Sequence, residues 1–217
     1  MNYAALVAAV SSYTENTFPT VDMNVFITQA EKRIYNAVQI PALRKNVTGI
    51  TTASNKYLAC PDDFLSSYSL AAISPTTGAY TYLLNKDVNF IREAYPKPTS
   101  TGAPKYYAIF GPRSDNETEL TFILGPTPDA VYSTELHYFY YPESIVTASN
   151  TWLSDNYDPV LLYGTLIEAY TYMKGEPDML ALYDGKYKEA MGQLKRLGDG
   201  LERSDSYRNG QARVPVT

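Results

Sequence analysis

The chain has 217 residues, 45% of them hydrophobic, which is enough to bury a sizeable core in one or two domains and too apolar for a disordered segment. Its 18 basic and 23 acidic residues leave a net charge of −5, which argues against a protein whose main task is gripping phosphate backbones. The single cysteine, Cys60, excludes an internal disulfide and fits folding in a reducing cytoplasm, where it reads as a small apolar strand residue rather than a reactive thiol.

Near the N-terminus, residues 4–10 are apolar, but no basic region precedes them as an export signal requires. Tyr3, Leu6, Val10 and Tyr13 fall at helical spacing, so a short amphipathic helix ending at residues 11–14 explains the stretch better. No run approaches the roughly 18 apolar residues that would span a bilayer. After a loop at Thr17-Phe18-Pro19, a second helix is predicted from Asp22 to Val38, with Ile27, Ala30, Ile34 and Val38 on its apolar face. Glu31, Lys32 and Arg33 are expected largely on its other sides, and the helix is expected to pack on helices from the far end of the chain.

From residue 45 to 142 the character changes to short Thr-, Tyr- and Ile-rich runs broken by Pro, Gly and Asn, the pattern of a β domain. Strands are predicted at 46–52, 56–60, 67–74, 80–84, 105–110, 119–124 and 131–141. A short helix is predicted at 85–95, where Val88, Ile91 and Tyr95 share a face. Residues 96–104, with three prolines and a glycine, are expected to form an extended surface loop. A tryptophan-led loop at 151–159 then opens into two helical patterns. Asp158 is expected as N-cap with Pro159 at the first helical position. Leu162, Leu166, Ala169, Tyr170 and Met173 form an apolar stripe, and Lys174-Gly175 closes the helix through a left-handed glycine. Pro177 opens the second pattern, with Leu180, Tyr183, Tyr187, Ala190, Met191, Leu194 and Leu201, so the pair reads as an antiparallel helical hairpin.

The expected fold class is α+β: a helical bundle formed by N- and C-terminal helices, with an antiparallel β sandwich or partial barrel inserted. The parts are residues 1–44, the inserted β-rich domain 45–149, the hairpin 150–203 and a tail, 204–217.

No catalytic constellation emerges. The one histidine, His137, lies in a tyrosine-rich strand where packing or a subunit contact explains it better than base catalysis, and no G-x-S-x-G elbow is present. Asp62-Asp63 and Asp155 with Asp158 are the nearest carboxylate pairs, better explained as turn and cap residues than as glycosidase machinery. One His and one Cys cannot build a zinc cage, and neither phosphate-loop pattern occurs, so no cofactor and no metal are expected. Tyrosine stands out instead. Twenty-one of them exceed what one small core can hold, and tyrosine is favoured where protein surfaces meet. A sugar-binding platform is the competing reading. Trp152 either anchors its loop on the hairpin or marks an inter-subunit hot spot.

Three stretches carry a family resemblance. Residues 22–38 (DMNVFITQAEKRIYNAV) have an Ala-Glu-x-x-Ile core, and residues 57–65 (YLACPDDFL) give a strand followed by Pro-x-Asp-Phe. Gly125-Pro126-Thr127-Pro128 leads into the tyrosine-rich strand, the Trp152 loop and the hairpin. Together these resemble the head-to-tail adaptor proteins of tailed bacteriophages, including the tail tubular or gatekeeper group beneath the portal.

That resemblance implies a non-enzymatic virion protein of the neck or tail, assembled in the host cytoplasm. It implies a homo-oligomeric, dodecameric ring that binds the portal protein and a downstream tail or nozzle protein, while DNA passes without specific binding. Trp152, Tyr157, Tyr207, Arg208 and Arg213 are the candidate partner-binding residues, since from Ser206 onward the tail carries Arg208 and Arg213 and no acid. A carbohydrate-binding module and a cryptic hydrolase are the alternatives.

Overall fold

A computed structural model describes residues 1–97, 99–111 and 120–201. The chain divides into two compact units, one made of residues 1–42 with 142–217, the other of residues 43–141.

The first unit is helical. Its long elements are α1 (Tyr3–Thr14), α2 (Thr20–Ala37), α6 (Asp158–Met173) and α7 (Pro177–Leu201), with short α4 (Ile145–Ala148) and α5 (Trp152–Asn156) between them in sequence. The stripe read for α2 is the core stripe: Ile27, Ala30, Ile34 and Val38 are all buried. In α7, Tyr183, Tyr187, Ala190, Met191 and Leu194 are buried as predicted, whereas Leu201 is exposed. Helix α6 is packed by α1, α2 and α7, so its buried arc is wider than a single stripe and includes Val160, Leu161, Gly164 and Thr165, while Leu162 is half-buried. A two-sided stripe of this kind is expected of a central helix. Two glycines permit close approach here: a Cβ on Gly164 would lie 3.2 Å from Ala30 Cβ, and one on Gly198 would lie 2.3 Å from Ile40 Cγ2.

Three local readings change. Asp158 is the first residue of α6 rather than its cap, a boundary shift of one residue. The left-handed residue closing α6 is Lys174, φ 54°, and Gly175 is small for another reason: a Cβ there would sit 2.6 Å from the Tyr170 ring. The Trp152 segment is not a loop but helix α5, started by a capping box in which Thr151 Oγ1 accepts from Ser154 N–H at 3.2 Å and Ser154 Oγ accepts from Thr151 N–H at 2.8 Å.

The second unit is a sandwich of two four-stranded sheets rather than a closed barrel. Its strands are β1 (Arg44–Ile50), β2 (Tyr57–Ala59), β3 (Phe64–Ile73), β4 (Tyr80–Tyr82), β5 (Leu84–Asn85), β6 (Tyr106–Phe110), β7 (Thr121–Gly125) and β8 (Ser133–Tyr140). Sheet A has the order β1-β8-β3-β4 and sheet B the order β2-β7-β6-β5; all pairings are antiparallel except β5 with β6. The core between them joins Phe64, Leu70, Ala72, Leu136 and Tyr138 of sheet A to Tyr107, Phe122 and Leu124 of sheet B. Ser67 and Tyr107 hydroxyls bond across it at 3.0 Å. The predicted strand at 80–84 is two strands: β4 pairs in sheet A, Leu83 turns inward, and β5 joins sheet B.

Helix α3 (Val88–Ala94), capped by Asp87 accepting from Asn89 N–H at 2.6 Å, covers the outer face of sheet B through Ile91, Ala108 and Ile123. Gly125 lets α3 approach, since a Cβ there would meet Ile91 at 2.9 Å. That gives the Gly-Pro-Thr-Pro stretch a packing role.

Candidate interaction surfaces

Of the candidate partner residues, Trp152 and Tyr157 lie in the helical unit, while Tyr207, Arg208 and Arg213 lie outside the described residues. Trp152 is half-buried at the first position of α5, and its carbonyl accepts from Asn156 Nδ2 at 2.9 Å. Tyr157, at the α5–α6 junction, donates to Gln193 Oε1 of α7 at 2.7 Å, and burial together with Glu189 raises its hydroxyl pKa. One end of this tyrosine is therefore committed to holding the hairpin. The Met1 amine hydrogen-bonds the Ser154 carbonyl and lies 3.8 Å from Asp158 Oδ2.

The sequence reading misplaced Glu31. Its residue is 3% exposed, and Oε1 accepts from the Ile145 N–H at 2.9 Å, so it holds the first turn of α4. Burial raises its pKa above 4.5 against the opposing hydrogen bonds from Ile145 and Ser144. The signal was available, because residue 31 stands four after Ile27 and three before Ile34, on the stripe itself. Its neighbours Lys32 and Arg33 drew it into a polar reading; Arg33 does pair outward, with Glu168.

In the β unit, Asp63, just before β3, gathers polar side chains from β1 and β8. It accepts from Lys45 Nζ at 2.7 Å and from Tyr138 Oη at 2.7 Å, and Lys45 also lies 4.1 Å from the Tyr140 ring centroid. Burial raises the Asp63 carboxyl, but Lys45 and Tyr138 outweigh it and leave the pKa below 3.8; the Tyr138 hydroxyl is pushed well up by burial and by Asp63. Asp63 is thus more than a turn residue. A mostly apolar pocket of about 240 Å³ opens between the edge strands β1 and β2, lined by Val47, Leu58, Cys60, Phe122 and Leu136 among others. Cys60 is buried, as its apolar reading required.

Alternation along β8 sends Leu136 and Tyr138 into the core and leaves Ser133, Glu135, His137 and Phe139 on the outer face of sheet A. His137 is half exposed there, with Nε2 at 3.6 Å from Glu135 Oε1. The tyrosines divide: Tyr35, Tyr107, Tyr132, Tyr138, Tyr183 and Tyr187 are buried, while Tyr68, Tyr80, Tyr82 and Tyr172 are the more exposed ones. Within the helical core, burial and the Tyr170 contact push the Tyr183 hydroxyl up to about 12. Among the described residues no group of three His, Cys, Asp or Glu side chains is placed to hold a metal ion, and no helix is long and apolar enough to cross a membrane.

A family model described as SU10 adaptor protein matches residues 1–215. The chain belongs to the SU10 adaptor protein family. None of the curated proteins matches it. Membership makes this chain a phage adaptor protein and a structural component of the virus, which favours a non-enzymatic role. SU10 adaptor membership thus agrees with the broad resemblance read from the sequence, while the narrower tail tubular likeness belongs to the proposal that follows.

Proposed function

We propose that the chain assembles as a homo-oligomeric ring at the portal vertex, joins the portal protein to the downstream tail or nozzle protein, and continues the DNA channel. The observation that carries this reading is the family match over residues 1–215, which spans both units and not merely a helical hairpin of common type. An acidic chain suits a lumen that DNA must traverse without being held, because phosphate binding depends on clustered cations. In this reading Trp152 and Tyr157 lie beside neighbour contacts, Tyr207, Arg208 and Arg213 dock in a partner cleft, and the likeness to tail tubular adaptors implies twelve copies.

The test is the mass of the purified chain by light scattering, alone and mixed with candidate portal rings, followed by negative-stain imaging. A ring, or a monomer that becomes a ring only on the portal, supports the reading. A monomer indifferent to every portal that instead binds on a glycan array sinks it.

A further inference from the structure

The outer face of sheet A carries two aromatic clusters, and among the described residues only one holds a cation. At the Phe139 end the Arg44 guanidinium carbon lies 4.2 Å from the Tyr68 ring centroid and 4.8 Å from that of Phe139. At the opposite end the Tyr80 and Tyr82 rings stack at 6.4 Å with an interplanar angle of 28°, and they are 50% and 69% exposed. Ala71 pairs with Tyr82 on one side and with Glu135 on the other, so the three form one cross-strand row with its smallest member in the middle. The Tyr80 hydroxyl reaches Glu135 Oε2 at 3.4 Å, which keeps the carboxylate beside the rings. Ala71 is only 2% exposed between them, so what a partner meets is an aromatic wall of two ring faces and an acidic wall at Glu135.

The chemistry of those walls selects the guest. A guanidinium is planar, stacks on aromatic faces and bonds carboxylates through a fork of donors; an ammonium is a hydrated point charge that matches one wall at a time. Within the fold Glu135 Oε1 has the His137 ring beside it at 3.6 Å, and that ring is 45% exposed. The adjoining row carries Ile50, Ser133 and Ile73, but an apolar guest there gains nothing from the Glu135 carboxylate, which an arginine would pair. The Arg44 cluster shows the same face holding an arginine on aromatic rings within the molecule.

We propose that the exposed Tyr80 and Tyr82 rings and the Glu135 carboxylate form a receptor for an arginine side chain presented by a partner protein. This goes beyond the adaptor reading, since it states what chemistry docks on the β unit wherever in the virion that unit lies.

The experiment titrates the full chain, carrying labelled tyrosine, with the capped tripeptides Gly-Arg-Gly and Gly-Lys-Gly and with a neutral oligosaccharide, following Tyr80 and Tyr82 by NMR. The arginine peptide is expected to shift both tyrosines and to bind roughly two- to fivefold tighter than the lysine peptide, the scale of an exposed cation–π contact. The response should vanish in Tyr82→Ala and in Glu135→Gln and should survive in Tyr82→Phe. Equal responses to arginine and lysine, a response that survives Tyr82→Ala and Glu135→Gln, or a response to the oligosaccharide alone would each overturn the proposal.

Discussion

Glu31 shows how one buried carboxyl couples sequence to stability in the helical unit. Its raised pKa means the folded state keeps a proton at a pH where the unfolded chain has released it, so stability declines as pH climbs from 4.5 through the raised value. Glu31→Gln keeps an oxygen acceptor for Ile145 and removes the charge. Thermal melts from pH 4 to 8 should show that decline flattened, with the variant at least as stable as the parent at pH 7. Glu31→Ala should instead cost about 1–3 kcal/mol near pH 4, because the Ile145 N–H is left buried and unpaired, and the cost should shrink as the parent's own decline sets in. Asp63 has the opposite sign: its lowered pKa contributes stability that is whole above pH 3.8 and is lost as pH falls further. Asp63→Asn should therefore erase an acid-limb loss of protection in the amides of β1 and β8, read by hydrogen exchange, and leave the Glu31 window untouched. The Tyr187 hydroxyl is buried with no hydrogen-bond partner among the described residues. Tyr187→Phe should leave stability unchanged or raise it by up to about 1 kcal/mol, a melting shift of roughly 2–4 °C for a chain of this size. A loss of stability would show that the hydroxyl has a partner.

At the scale of elements, legibility followed the range of the interaction that fixes each one. Helix α2 buries the residues its spacing marks and α7 buries those in its middle, from Tyr183 to Leu194, since a 3.6-residue period is local information. Strand β4 and strand β5 looked like one run because alternation does not say which sheet a residue will pair with; that depends on β3 and β6, placed elsewhere in the chain. Tyr68 and the irregular pairing between Ser67 and Ser69 were invisible for the same reason. The Tyr80, Tyr82 and Glu135 surface joins β4 to β8 across β3, so no single stretch announces it, whereas Trp152 and Tyr157 could be singled out from composition alone. Glycines in α7 separate local from tertiary cause most directly. Gly192 has no atom within 4 Å of an added Cβ, whereas at Gly198 that atom would overlap Ile40. Gly192→Ala should gain about 0.5–1 kcal/mol from helix propensity and the stiffer unfolded chain. Gly198→Ala receives the same gain but must displace Ile40 or the end of α7, an overpacking cost of about 1–3 kcal/mol that decides the sign. Paired denaturant titrations check it, and similar midpoints for the two variants would refute the close approach of α7 to Ile40.

For the whole molecule, charge argues against DNA binding. A chain of net charge −5 and isoelectric point near 4.9 repels duplex DNA at neutral pH. Several of its cations are already engaged within the fold: Arg33 with Glu168, Lys45 with Asp63, Lys186 with Glu189 and Lys188 with Asp184. Exposed pairs of this kind add little stability, on the order of 0–1 kcal/mol each, but they lower the density of free positive charge a phosphate backbone would meet. Phosphate binding releases counterions and weakens steeply with salt, so its presence or absence is sharply testable. In gel-shift and filter-binding assays at pH 7 the chain should leave duplex DNA unretarded even at low salt, where electrostatic binding is strongest. Below the isoelectric point, as carboxylates take up protons, weak and salt-sensitive retention should appear. Binding at pH 7 that falls with added salt would mean that the cations are gathered on one surface, and a channel that lets DNA pass freely would have to be built from some other face.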